Sequence, residues 1–324
     1  MEYRNLGKSN IKVSEISLGC WTMGGRNWSR GTSIGWADVD ETEIRSAIDY
    51  ALEHGVNHFD NADVYGNGKA ERMLAHILGS RTNDVIIATK VGHAWGTAAH
   101  AYEPQHIRHQ CEQSLINLKR DTIDLYYFHH GDFGPNDQYL EDALAVMHRL
   151  RDEGKIRTIG LSAYSNADFL RLVPKIKPDV LQSWAHIMDD HFIGAGQPVR
   201  KLLESESMSF VAFSPLNQGL LLHKFTAKNP PEFVSGDNRQ DKDKFSKAAL
   251  EVLEPRLEKL EARFGSTTED LARVALQYLL HEPVVGAVIP GFRNLKQVQI
   301  NLAAQDKPLT ADEVKFVRST INAK

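Results

Sequence analysis

Short apolar runs alternate with charged runs of helical period from one end of this chain to the other. The apolar runs fall at residues 16–19, 55–59, 85–89, 124–129, 156–161, 180–182, 209–214 and 284–289. They are brief and rich in Val, Ile and Phe, as strands covered on both faces are. Between them, residues 41–54, 69–78, 104–118, 141–153, 166–173 and 198–204 read as amphipathic helices. Two long helices, 245–264 and 268–281, precede the last strand, and two more, 294–304 and 311–321, follow it. Asp40 is placed to cap the first helix, whose stripe is Ile44, Ile48 and Leu52, and Gly55 and Gly154 are placed to end helices in the left-handed conformation. Eight strands alternating with helices predict an α/β fold, a closed parallel (β/α)8 TIM barrel, with an open doubly wound sheet as the structural rival. The segment YRNLGKSNIKV predicts a hairpin across the barrel floor, turning at Gly7, and the last two helices are extra to the barrel.

A typical domain length of about 150 residues divides 324 residues into two, but α/β barrels run to about 250 residues or more as one. No stretch has the composition of an interdomain linker, so a single domain over residues 1–324 is expected. The Pro- and Gly-containing run at 229–243 follows the seventh strand, which makes it a candidate active-site loop. A net charge of -4, with basic residues scattered among acidic ones, leaves no concentrated basic face for nucleic acid. Cys20 and Cys111 stand alone, forming neither a disulfide framework nor a zinc knuckle, and suit a reducing compartment. The polar start MEYRNLGKSN is unlike a signal peptide, and no apolar run approaches the roughly 20 residues that span a bilayer. The expected location is the cytoplasm, with no membrane partner.

In a barrel, polar residues at the C-terminal strand ends surround the mouth and are candidates for chemistry. Asp60, Lys90 and His129 hold such positions on the second, third and fourth strands, and Tyr65 follows Asp60 in a loop able to turn back. Each has an ordinary structural explanation: a loop cap, a snorkelling lysine, a satisfied core histidine, a packed ring. Their joint placement on consecutive strand ends favours function. A metal-dependent barrel hydrolase using Asp60, His129, His130 and His186 is one reading, although no HExxH or close Cys/His cluster is present.

The segment HFDNADVYGNGKAERMLAHILG (58–79) is similar to the signature of the aldo-keto reductase family. The resemblance continues through IIATKVG (86–92), DTIDLYYFHHGD (121–132), IRTIGLSAYS, FVAFSPLNQGLL and IPGFRNLKQVQINLAA, covering nearly the whole chain in the family order. It implies a catalytic tetrad of Asp60, Tyr65, Lys90 and His129, and NADPH-dependent reduction of an aldehyde or ketone carbonyl to an alcohol. The chemistry is consistent with those residue types. Hydride arrival builds negative charge on oxygen, which a donor must stabilise or protonate. A phenol with pKa near 10 is a weak acid at neutrality, and a lysine beside it is expected to favour the phenolate. His129 is expected to orient the carbonyl, with His129 or His130 as the rival donor.

No Rossmann fingerprint is present: Gly66 and Gly68 begin one, but Glu71 takes the third glycine position. The resemblance instead assigns NADPH/NADP+ to loops at the last strands. It implies Ser162 and Gln182 at the nicotinamide carboxamide, Phe213 against its face, and Ser214, Pro215 and Leu216 starting the loop over the pyrophosphate. Gly291 and Arg293 follow the last strand, where a helix N-terminus and a guanidinium suit a ribose phosphate. Gln297 and Asn301 follow at a spacing of four, as the adenine-side contacts. Asn61, Ala163 and Ile300 depart from the usual threonine, asparagine and glutamate, and Ala163 and Ile300 weaken the expected cofactor contacts. No metal is expected. A small carbonyl compound is the expected partner, and an NADPH-binding regulatory or redox-sensing protein of the same fold is the alternative.

Overall fold

Eight strands form one sheet: β1 (Leu18–Gly19), β2 (His58–Asp60), β3 (Ile86–Val91), β4 (Ile123–Phe128), β5 (Ile156–Ser162), β6 (Val180–Trp184), β7 (Ser209–Phe213) and β8 (Val285–Ile289). The computed structural model describes residues 1–29, 31–240 and 242–323. The strands lie in chain order, all neighbours parallel. Parallel bridges from Ile16 to Val288 and from Gly19 to Gly291 bring the first strand against the last, closing the barrel. This is the TIM-barrel arrangement, and the open-sheet rival is excluded. The first two strands are shorter than the sequence pattern suggests. Residues 55–57 lead into β2 instead of joining it, which makes Asp60 the terminal residue of that strand.

Helices α1 (Glu41–Glu53), α2 (Lys69–Leu78), α3 (Pro104–Leu118), α4 (Leu140–Asp152), α5 (Asn166–Ile176) and α6 (Pro198–Ser205) each follow a strand. The pair α7 (Lys247–Phe264) and α8 (Thr268–Leu280) fills the connection from β7 to β8, and α9 (Leu295–Leu302) and α10 (Ala311–Ile321) follow β8. Asp40 caps α1 by accepting from the Thr42 and Glu43 amides at 2.7 and 3.3 Å. The buried stripe of α1 is Ile44, Ala47, Ile48 and Ala51; Leu52 is only half-buried, one position off the stripe.

Two apolar layers result. The larger lies between strands and helices; the smaller fills the barrel and includes Ala88, Leu125, Tyr127, Val180, Val211 and Ala287. The N-terminal hairpin, Tyr3–Asn5 paired antiparallel with Lys12–Ser14, adds Leu6, Ile11 and Val13 to the smaller layer and so plugs the floor. Burying such a side chain contributes about 1.5–3 kcal/mol. Inside, the Tyr127 ring occupies the space that a side chain at Gly160 on the neighbouring strand would need. A second short hairpin, Trp28–Ser29 with Thr32–Ser33, lies in the connection from β1 to α1 and has no counterpart in the sequence reading.

Candidate active site

Asp60 ends β2 and Lys90 lies one residue before the end of β3, so strand alternation and register turn both into the barrel near its C-terminal rim. The Lys90 ammonium donates to one Asp60 carboxylate oxygen and, at 2.6 Å, to the Asn61 carbonyl. The other Asp60 oxygen accepts from Gln182 Nε2 on β6 at 2.8 Å. One carboxylate thus joins three strands across the barrel, with all three side chains buried. Such a charge pair is tolerable in an apolar interior only because each partner is satisfied.

Tyr65 is held by a tight loop. Gly66 has φ +60° and its backbone packs on that of Gly24, where an added Cβ would lie 2.7 Å from the Gly66 nitrogen. The phenol ring stacks on Trp21 (6.0 Å between centroids, 24°) and meets His129 edge-on (6.0 Å, 75°). Lys90 Nζ is 5.3 Å from the centre of the Tyr65 ring. Burial, and next the Asp60 charge, push the phenol pKa well above its ordinary value. This departs from the expectation that Lys90 lowers it. The lysine charge is spent on Asp60 and Asn61, so the hydroxyl keeps its proton.

His129 follows β4 and is buried, and burial drives its pKa well below the usual imidazole value, with His93 and Lys90 adding to the effect. The ring is therefore neutral. His130 turns away and places Nε2 2.8 Å from the Gly92 carbonyl. His186 pairs its backbone with Asp189 after β6. The four groups of the hydrolase reading do not assemble, and among the described residues no group of three or more His, Cys, Asp or Glu side chains is placed to hold a metal. Nor is any helix among them long and apolar enough to cross a membrane.

A cleft of about 1230 Å³ runs from Asp60, Tyr65 and His129 past Gln182 and Phe213–Leu216 to Gly291, Arg293, Gln297 and Asn301. Twelve of the fourteen sequence candidates line it, and the Lys90 side chain bonds to Asp60, which does. Ser162 is buried at the end of β5 and is not among the cleft-lining residues.

Residues 15–322 match the model of the aldo/keto reductase family. The chain is an oxidoreductase of the aldo/keto reductase family. It is 28% identical to an uncharacterized oxidoreductase of Bacillus subtilis (strain 168), over 98% of this chain and 96% of that one. It is 27% identical to a probable voltage-gated potassium channel subunit beta of Arabidopsis thaliana, over 98% and 96%. Among solved structures, the holo form of an aldo-keto reductase from Bacillus halodurans superposes with a TM-score of 0.76 at 26% identity, covering 100% of this chain and 97% of the other.

In this aldo/keto reductase the far end of the cleft is cationic. Arg293, Lys224 and Arg239 all line it. Burial, and then the neighbouring Arg239 charge, lower the Arg293 pKa; burial, and then Arg293 and Lys296, lower that of Lys224. Asp237 neutralises Arg239 with bonds of 3.0 and 2.8 Å. Glu269 offsets part of the charge on Lys224 but is itself paired with Lys296, so this end stays positive and fits a phosphorylated ligand. Gln297 Oε1 accepts from the Arg293 amide at 2.9 Å and Asn301 Nδ2 donates to the Gly291 carbonyl at 3.4 Å, so both brace the loop that carries Arg293. The turn after β7 is left-handed at Ser214, Asn217, Gln218 and Gly219.

Sequence reasoning missed Lys224, Arg239, His93 and Tyr164 on this cleft. Arg239 lies in the loop already singled out, but one arginine among mixed charges carries no positional signal. It is held over Trp36 (4.8 Å) and Phe233 (4.2 Å). Beside it the Asn238 amide and side-chain nitrogen both donate to the Gly35 carbonyl, at 2.8 and 2.9 Å, and Lys242 and Gln218 donate to Asn238 Oδ1. This clasp fastens the β7–α7 connection to the β1–α1 connection.

Behind the site, Asp63 is buried and bonded to Gln110 Nε2 at 2.9 Å, and burial pushes its pKa up to about 8. An unfolded aspartate releases its proton near pH 4. The folded protein holds that proton until about pH 8, so this contribution is full below pH 4 and is lost as pH rises through 8. Urea unfolding across pH 4–8 is expected to show stability falling with pH, and less steeply in Asp63→Asn. Equal slopes would remove Asp63 as the cause.

Proposed function

We propose that this chain reduces an aldehyde or ketone to an alcohol with NADPH, using Tyr65 as proton donor. The observation that carries the reading is the pairing of two unlike ends in one cleft: a neutral phenol and imidazole over a buried Lys90–Asp60 pair, and a cationic pocket around Arg293. Bound NADPH supplies the hydride. Tyr65 and neutral His129 hold the carbonyl oxygen from two sides, and the phenol gives up its proton as charge develops there. Lys90, 5.3 Å from the ring centre and held by Asp60 and Asn61, is a cation beside the transient phenolate, which solvent reprotonates. Gln182, anchored on Asp60, and Phe213 line the wall where the nicotinamide lies in this reading. The position of Ser162 behind the cleft leaves its expected contact to a local rearrangement.

Arg293, with Lys224 beside it, receives the 2′-phosphate that distinguishes NADPH from NADH. A charge-assisted hydrogen bond contributes about 1.5–3 kcal/mol, or roughly tenfold to over a hundredfold in affinity. Arg293→Ala is expected to weaken NADPH by that factor and NADH far less, read by quenching of protein fluorescence. Equal losses would reduce Arg293 to a structural role. Similarity to a channel beta subunit favours a second reading, an NADPH-binding sensor. Steady turnover with a panel of aldehydes, ketoses and ketones supports the enzyme; tight NADPH retention without turnover supports the sensor.

A further inference from the structure

His93 stands three residues after Lys90, in the connection from β3 to α3, and lines the cleft beside His129 with ring centroids 4.4 Å apart at 65°. Tyr164, from the connection after β5, fixes its protonation pattern. The Tyr164 hydroxyl lies 3.0 Å from the His129 carbonyl oxygen, which can only accept, so the single hydroxyl proton is committed there. The Tyr164 oxygen is also 3.1 Å from His93 Nε2. With its own proton spent, that oxygen is the acceptor and Nε2 carries the hydrogen. Burial, and then His130 and Lys90, push the His93 pKa down to about 4, so the ring is neutral at working pH and has one N–H. Nδ1 is thus a bare acceptor, and among the described residues it makes no hydrogen bond.

Resting on the carbonyl-reductase reading above, we propose that His93 is a specificity-determining residue that favours carbonyl substrates bearing a hydroxyl on the adjacent carbon. A carbonyl oxygen held between Tyr65 and His129 brings one of its two substituents toward His93. A hydroxyl one carbon away has a proton to give, and Nδ1 accepts it. Tyr164 and His129 flank His93, and the Tyr65 and Trp21 rings continue from His129, so an unmet acceptor there is costly to leave dry. A second carbonyl at that carbon presents lone pairs to a lone pair and is disfavoured. The same acceptor gains nothing from a plain alkyl ketone.

The test compares two ketones of nearly equal shape, hydroxyacetone and butanone, each with NADPH. Their intrinsic reactivities differ, so the reading is the change in the kcat/KM ratio between wild type and variant. His93→Phe is expected to lower the hydroxyacetone-to-butanone ratio about tenfold, the usual reach of one buried neutral hydrogen bond. Tyr164→Phe leaves the ring in place but frees its tautomer, and is expected to lower the ratio by a smaller factor. A wild-type ratio in His93→Phe, or in Tyr164→Phe where the first variant does not fold, overturns the proposal. Wild-type protein that binds NADPH yet reduces neither ketone, nor any carbonyl of a wider panel, overturns the reductase reading instead.

Discussion

Tyr65→Phe is expected to lose about 10²–10⁴-fold in the chemical step while retaining NADPH affinity. The substitution keeps the ring that stacks on Trp21 and meets His129, and removes only the hydroxyl. The residues of the cationic end lie elsewhere on the cleft, so binding of NADPH is the internal control. Single-turnover reduction separates this step from product release. Because burial and the Asp60 charge hold the phenol protonated, the proton donor is in its working form across the neutral range. Wild-type single-turnover rates in folded Tyr65→Phe would transfer the donor role to His129.

Asp60→Asn is expected to destabilise the fold by about 3–5 kcal/mol, because it leaves the buried Lys90 charge without its partner. Asn61 still offers one carbonyl, and Gln182 loses a charged acceptor. Chemical denaturation measures the loss, and its cause is checked by a second change. In Asp60→Asn/Lys90→Met the unpaired charge is gone, so part of the stability returns, although neither variant is expected to be active. A double variant as unstable as the sum of its single changes would mean that Asp60 acts through packing alone. The two experiments differ in kind: one removes a reacting proton, the other the support beneath it.

Strand and helix periodicity made the barrel legible because burial on both faces imposes continuous apolar strands and one-sided helices. The gathering of these side chains at one rim was legible because strand ends are fixed points once the strands are found. Asp60, Lys90 and His129 need only correct counting. The direction of the Tyr65 shift was not legible. It rests first on how completely the phenol is buried and then on the Asp60 charge, and neither follows from the spacing of the motif. His93 and Tyr164 come from different connections 71 residues apart, and nothing in either segment announces their contact. Leu52 and Ser162 mark the opposite limit, where the right element was found and the burial of one side chain on it was not.

Under the NADPH-reductase reading proposed above, the clasp between Asn238 and Gly35 would set an order of departure. For a dinucleotide lying beneath it, exit waits for two hydrogen bonds to one carbonyl and the Arg239 contact with Trp36 to part together. A small alcohol at the Tyr65 end has no such barrier. Each bond contributes about 1 kcal/mol and every 1.4 kcal/mol is about tenfold, so the two together would slow release by more than about tenfold. Wherever release is then slower than chemistry, turnover would count openings of the strap rather than hydride transfers. Good substrates would then share one ceiling on kcat and differ only in the concentration needed to reach it.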